Sequence, residues 1–161
     1  MNFTIYLPLD SYINPNGELD TFGKIHVNLG DSAFPSEDWT DFGRIIILHW
    51  LNNINKILAS EIKVVECSFM DGPYSFYIEE ISKSVWKIST VKRWFDGKKD
   101  GETIEKEEEI NSKQIVDEIF KAAEARRNFD AKNDRQDIVK QNEETFQKFQ
   151  IANQHYFGKF N

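Results

Sequence analysis

Three histidines (His26, His49 and His155) and one cysteine (Cys67) are the side chains best suited to hold a metal or to act as base and nucleophile. Their spacing supports neither role. No two histidines stand four apart, so no helical face presents a ligand pair, and no HExxH occurs. A single cysteine cannot form an internal disulfide or a cysteine-based zinc cluster. It sits in the strand-like run Ile62 to Phe69, where a lone cysteine acts as a small buried hydrophobe. His49, next to Trp50, is expected to be a hydrogen-bonded core histidine. No GxSxG, GxGxxG or GxxxxGK[ST] is present, and Gly97-Lys98 is followed by Lys99 without a glycine-rich loop. Carboxylate pairs such as Glu79-Glu80 and Asp38-Asp41 arise by number alone in a chain with 27 acids. The expectation is a protein with no catalytic residue, no metal and no cofactor, built to bind.

The residues that could carry binding are acidic. The segment from Glu102 to Glu109 contains Glu102, Glu105, Glu107, Glu108 and Glu109 against one Lys106. Such a run reads either as an edge strand charged against strand-to-strand aggregation or as a surface that steers a cationic partner. A second acidic set is Asn14 to Asp20 with Asp31, Glu37, Asp38 and Asp41, expected to gather at the end of a central helix. Tyr74, Tyr77, Trp86 and Trp94 alternate with polar neighbours and are either core or partner anchors; Trp86 and Trp94 share strand parity.

Composition agrees with a protein-binding role. The net charge is −7, of which residues 100–109 carry −5 from six acids and one lysine. An acidic chain without a basic stripe is a poor nucleic-acid binder, and it attracts basic partners. The start Met1-Asn2-Phe3-Thr4-Ile5-Tyr6 lacks the basic and apolar regions of a signal peptide. The longest fully apolar run, Ile45 to Leu48, falls far short of the ~20 residues that span a bilayer. A cytoplasmic protein is expected, with a protein partner and neither nucleic acid nor membrane.

These side chains need a scaffold, and 161 residues with 40% hydrophobic and 14% aromatic content suit one folded domain rather than disorder. Phe3, Ile5 and Leu7 predict a first strand ending at Pro8, residues 10–23 a polar loop, and Ile25, Val27 and Leu29 a second strand. Pro35-Ser36-Glu37-Asp38 predicts a helix start capped by Ser36. Trp39, Phe42, Ile46, Trp50, Asn53, Ile54 and Ile57 then recur at helical spacing. Ile45, Ile47 and Leu48 widen that apolar face, so this helix should be covered on more than one side. Strands are predicted over Ile62 to Phe69, Tyr74 to Ile81, Val85 to Phe95 and Glu102 to Ile110, joined by short turns into an antiparallel meander. The region of about 112–157 is helical, with Ser112 a candidate cap and Ile115, Val116, Ile119, Phe120, Ala123 and Phe129 on one face. A further helix is predicted from near Asp134, and Asn128 to Asn133 reads either as a turn or as continuing helix. The order predicts an α+β fold, an antiparallel sheet with segregated helices.

One stretch carries a resemblance. Phe34-Pro35-Ser36-Glu37-Asp38-Trp39-Thr40-Asp41-Phe42, then Ile47-Leu48-His49-Trp50, and later Phe69-Met70-Asp71-Gly72-Pro73-Tyr74, resemble small bacterial immunity-type proteins of polymorphic toxin systems. The likeness covers about residues 20–95. It implies a cytosolic, non-enzymatic inhibitor that silences a cognate toxin, and it carries over no catalytic residue. The leading expectation is therefore a toxin-neutralising protein whose acidic surface blocks a basic toxin domain. The alternatives are an adaptor that dimerises through its C-terminal helices and, third, a small enzyme.

Overall fold

A computed structural model describes residues 2–158. The fold is α+β, as the sequence predicts: antiparallel sheets with four α-helices among the described residues. A small sheet is made of β1 (Phe3–Tyr6), β3 (His26–Leu29) and β4 (Ser32–Phe34), in the order β1-β3-β4. A short antiparallel pair joins β2 (Gly23–Lys24) to β5 (Thr40–Asp41). The larger sheet is the expected meander of β6 (Val64–Ser68), β7 (Tyr74–Glu80), β8 (Val85–Phe95) and β9 (Asp100–Asn111), each pairing with the next. The turn chemistry explains the short connections. Gly72 and Gly97 take φ of +71° and +88°, and Asp96 accepts the amides of Lys98 and Lys99 (3.0 and 2.8 Å).

Register brings Val65 opposite Ile78, Ile78 opposite Ile88, and Trp86 opposite Ile110. These residues, with Cys67 and Phe76, form the buried face of the large sheet. Burial pushes the Cys67 thiol well above its usual range, as suits a packing residue rather than a nucleophile. Between Thr90 and Val91 the ladder shifts register: Thr90 faces Lys106 and Val91 faces Ile104, so Glu105 is the unpaired residue of a bulge. Beyond Lys92, which faces the first residue of β7, strands β8 and β9 run on as a two-stranded arm. Trp94 lies in that arm and is 44% exposed, although it shares parity with the fully buried Trp86. The strand there has run past the core that buries Trp86.

Helix α1 (Gly43–Leu58) begins eight residues after Pro35, against the predicted start. Residues 35–42 instead make a turn at Glu37–Asp38 and the short strand β5. Ile25 donates its amide to Trp39 O (3.0 Å), Thr40 pairs with Lys24, and Ser36 makes only a turn with Trp39. Trp39 packs edge-on against Phe69 and Tyr74, and Phe42 stacks near Phe22. Within the helix, Ile46, Ile47, Trp50, Leu51, Ile54, Ile57 and Leu58 are buried, packed against β6, α2 (Ser112–Lys132) and α4 (Glu143–Phe157). Covering on more than one side is thus observed, although Ile45 is 55% exposed. The Trp50 indole donates to Ser68 O (3.1 Å) and packs on Phe69 and Phe76.

Helix α2 is capped by Asn111, whose side chain accepts from Gln114 N; the Ser112 hydroxyl instead donates to Lys83 O (2.7 Å). The segment from Asn128 onward stays helical to Lys132, and Asp134, at φ 58°, ends it. The last helical stretch is split at Asn142 into α3 (Gln136–Gln141) and α4. Tyr156 pins α4 to the sheet, donating to Glu80 (2.5 Å) and accepting from the Trp86 indole (3.2 Å). No helix among the described residues is long and apolar enough to cross a membrane.

Candidate partner-binding surface

Strand β9 is an edge strand of the large sheet, and alternation deals its acids to two faces. Glu102, Glu105, Glu107 and Glu109 are exposed, whereas Glu108 is half-buried because it lies opposite Ile88 on the inward side. Lys106 also turns inward: its Nζ donates to Leu29 O (2.7 Å) and ties β9 to β3.

The outward face of the meander is a cross-strand ladder of charge. Lys87 bonds Glu79 (2.7 Å) and approaches Glu107 (3.9 Å), which also accepts from the Ser89 hydroxyl (2.8 Å). Arg93 bridges Glu66 and Glu102, and Glu102 accepts from the Tyr77 hydroxyl (2.7 Å). The hydrogen bond to Glu79 raises the Lys87 pKa, and burial followed by the bond to Glu102 raises that of Tyr77. Exposed pairs of this kind contribute roughly 0–1 kcal/mol each, so they organise the face more than they hold the fold. Glu105, at the bulge, and Glu109 make no ion pair among the described residues. The arm exposes Ile104 (56%), next to Glu105, and Phe95 (74%), opposite Asp100.

The second acidic set does not assemble as expected. Asp41 is fully buried and belongs to no surface. Its carboxylate accepts from the Trp39 indole (3.2 Å), the Phe42 amide (2.8 Å) and the Asp71 amide (3.0 Å), which ties the approach to α1 to the β6–β7 turn. Glu37 and Asp38 are exposed, and Asp38 pairs with Lys24 (3.0 Å), whose pKa the hydrogen bond raises. Asp31, exposed at the β3–β4 turn, lines a cleft with Asn2 and Lys106, which places it beside β9 rather than near α1.

The histidines stay apart. His49 is exposed on α1, paired with Asn53 (3.2 Å), and is not the core residue the sequence predicts, because the helix turns that side toward solvent. His155 is exposed on α4. His26 is buried, stacked on Tyr6 at 4.8 Å, and burial holds its pKa below the ordinary value. No cluster of three or more His, Cys, Asp or Glu side chains among the described residues could hold a metal.

Sequence reasoning missed one charged cluster, formed by Arg44 on α1 with Arg126 and Asp130 on α2. Its signal was present, since Arg126 follows Ile119 and Ala123 along the buried stripe of that helix. No protein-family model, curated protein or solved structure matches the chain.

Proposed function

We propose that this protein is an immunity-type inhibitor that neutralises a toxin by binding its basic active-site region. The observation that carries the reading is the outward face of the meander. There, exposed Glu102, Glu105, Glu107 and Glu109 lie along an edge strand whose arm exposes Ile104, between Glu102 and Glu105, and Phe95, opposite Asp100. The resemblance of residues about 20–95 to immunity-type proteins supplies the class of partner. In this mechanism the glutamates occupy cationic side chains that would otherwise hold substrate, and Phe95 supplies the desolvated anchor. Charge governs the rate of encounter, while the aromatic contact governs how long the complex lasts.

The test takes as toxin candidate a large secreted protein encoded by a neighbouring gene. Co-expression should restore growth, and Glu105, Glu107 and Glu109 changed together to Gln should slow association severalfold at low salt and flatten its salt dependence. Phe95→Ala should instead speed dissociation. Association of the triple variant at the wild-type rate in low salt would remove this face from the interface. Failure of the wild type to restore growth or to bind would end the immunity reading.

A further inference from the structure

A sheet edge exposes backbone N–H and C=O groups that another strand can claim. Most edges of this fold are closed. At β6, the carbonyls of Glu66 and Ser68 accept from the Asn53 amide (2.7 Å) and the Trp50 indole (3.1 Å) of α1. At β1, which packs against α2, the Ile5 amide meets the Glu118 carboxylate (3.4 Å). Strand β4 has three residues, and β2 and β5 have two each, too short to template a ladder. Strand β9 differs. It has twelve residues, and β8 is its only strand neighbour among the described residues.

Register identifies which backbone groups of β9 are spare. Ser112 donates its amide to Ser84 O (3.0 Å), one step beyond the Val85–Asn111 pair. Alternation then makes Trp86–Ile110 and Ile88–Glu108 the bonded pairs, and it turns the N–H and C=O of Glu107 and Glu109 away from β8. The β7 side agrees, since Arg93 donates to Pro73 O (2.8 Å): odd residues of β8 serve β7 and even ones serve β9. No other element among the described residues bonds the backbone of Glu107 or Glu109. The regular run ends at the Glu105 bulge.

Side chains decide which strand fits this open edge. Glu107 and Glu109 project from the outward face, where Glu79 joins them around one cation, Lys87. A second copy of β9 would set carboxylate against carboxylate, and like charges directly opposite weaken a ladder. A strand with Lys or Arg at alternate positions meets the opposite sign instead. Beside Lys106 lies a cleft of about 580 Å³ lined by Asn2, Gly30, Asp31 and Ser32, with room for small polar side chains of the other parity. The geometry points to strand addition: a basic, extended segment of the partner pairs antiparallel with β9 along Glu107 and Glu109 and extends the large sheet. Resting on the reading of β9 as the docking surface, it makes backbone pairing the hold and alternate cations the source of selectivity.

The probe is acetyl-Thr-Lys-Thr-Lys-Thr-Lys-Thr-amide, titrated into the intact protein and followed in ¹H–¹⁵N spectra. The Glu107 and Glu109 amides should shift saturably, and at saturation they should exchange with deuterium about tenfold more slowly or better. In an antiparallel pair the residues opposite them aim their own N–H at β9. N-methylation of the lysine amides should therefore weaken binding about tenfold, and N-methylation of the threonine amides should leave it within about twofold, with the same charge in both peptides. On the protein, Glu107→Pro removes an amide that β8 does not use, whereas Glu107→Gln removes only the charge. The proline variant should bind about tenfold more weakly than the glutamine one. Unmoved Glu107 and Glu109 amides, equal tolerance of the two methylated peptides, or equal affinity of the two variants would overturn strand addition. The methylated peptides decide the matter on the wild-type protein even if Glu107→Pro does not fold. Peptide pairing without neutralisation of any neighbouring toxin would keep the strand site and end the immunity reading. A toxin neutralised equally by wild type and a folded Glu107→Pro would do the reverse.

Discussion

Replacing Asp41 with alanine tests whether this acid is structural. The carboxylate is fully buried and accepts from three donors: the Trp39 indole and the amides of Phe42 and Asp71. Alanine leaves all three bare. Hydrogen bonds to a charged group contribute about 1.5–3 kcal/mol each, so even the lower figure gives a loss of about 4.5 kcal/mol. Asparagine keeps a single acceptor oxygen. Turned to serve Trp39 and Asp71, it sets its NH₂ against the Phe42 amide, and about 2 kcal/mol should be lost. The neighbouring Asp38→Ala removes only an exposed pair with Lys24 and should cost under about 1 kcal/mol. Urea unfolding followed by tryptophan fluorescence reads the series. With a slope of about 2 kcal/mol per M, Asp41→Ala should lower the midpoint by about 2 M. An Asp41→Ala protein within about 1 kcal/mol of wild type would show that these donors find other partners, and the structural role would fall.

Trp50→Ala should cost about 3–5 kcal/mol, because it empties a fully buried site against Phe69 and Phe76 and strips Ser68 O of its donor; an unchanged urea midpoint would contradict that placement. His26 makes stability fall with acid. Burial holds its folded pKa below the ordinary value of about 6.5, so the unfolded chain takes the proton first. The stability it confers is full above about pH 6.5 and is lost as pH falls through the folded value. An NMR titration of the ring should give a midpoint below 6.5, and a midpoint at or above 6.5 would refute the sign.

The meander was legible because its information is local. Alternation in Val64–Ser68 through Asp100–Asn111, with short turns between, two of them containing Gly, specifies pairing without reference to the rest of the chain. The start of α1 was not legible for the opposite reason. Pro35-Ser36-Glu37-Asp38 has the composition of a helix cap, but Trp39 O is claimed by Ile25 and Thr40 by Lys24, partners more than ten residues away. A tertiary ladder outcompeted a local preference, and it carried Trp39 and Phe42 off the helix they matched by spacing. Trp94 failed in a related way, because parity describes a strand but not where the core beneath it stops.

The acidic residues show the same division between what types reveal and what neighbours decide. Asp38 and Asp41 differ little in sequence context, yet one is exposed and the other receives three donors in the interior. On β9, five glutamates read as one block of charge, but the fold spends them unequally. Glu102 and Glu107 are drawn into pairs with Arg93 and Lys87, and Glu108 is turned half inward. The bulge between Thr90 and Val91 leaves Glu105 unpaired in the ladder, whereas Glu109 stands opposite Lys87 and helps to raise its pKa. The acidic charge left without a facing cation is therefore narrower than the sequence suggests and is centred on Glu105. Edge protection and the proposed docking do not compete for it: charge along the strand's edge discourages a second acidic strand, and in the proposed complex the same charge, next to exposed Ile104, would meet a cationic surface that brings its own apolar contact.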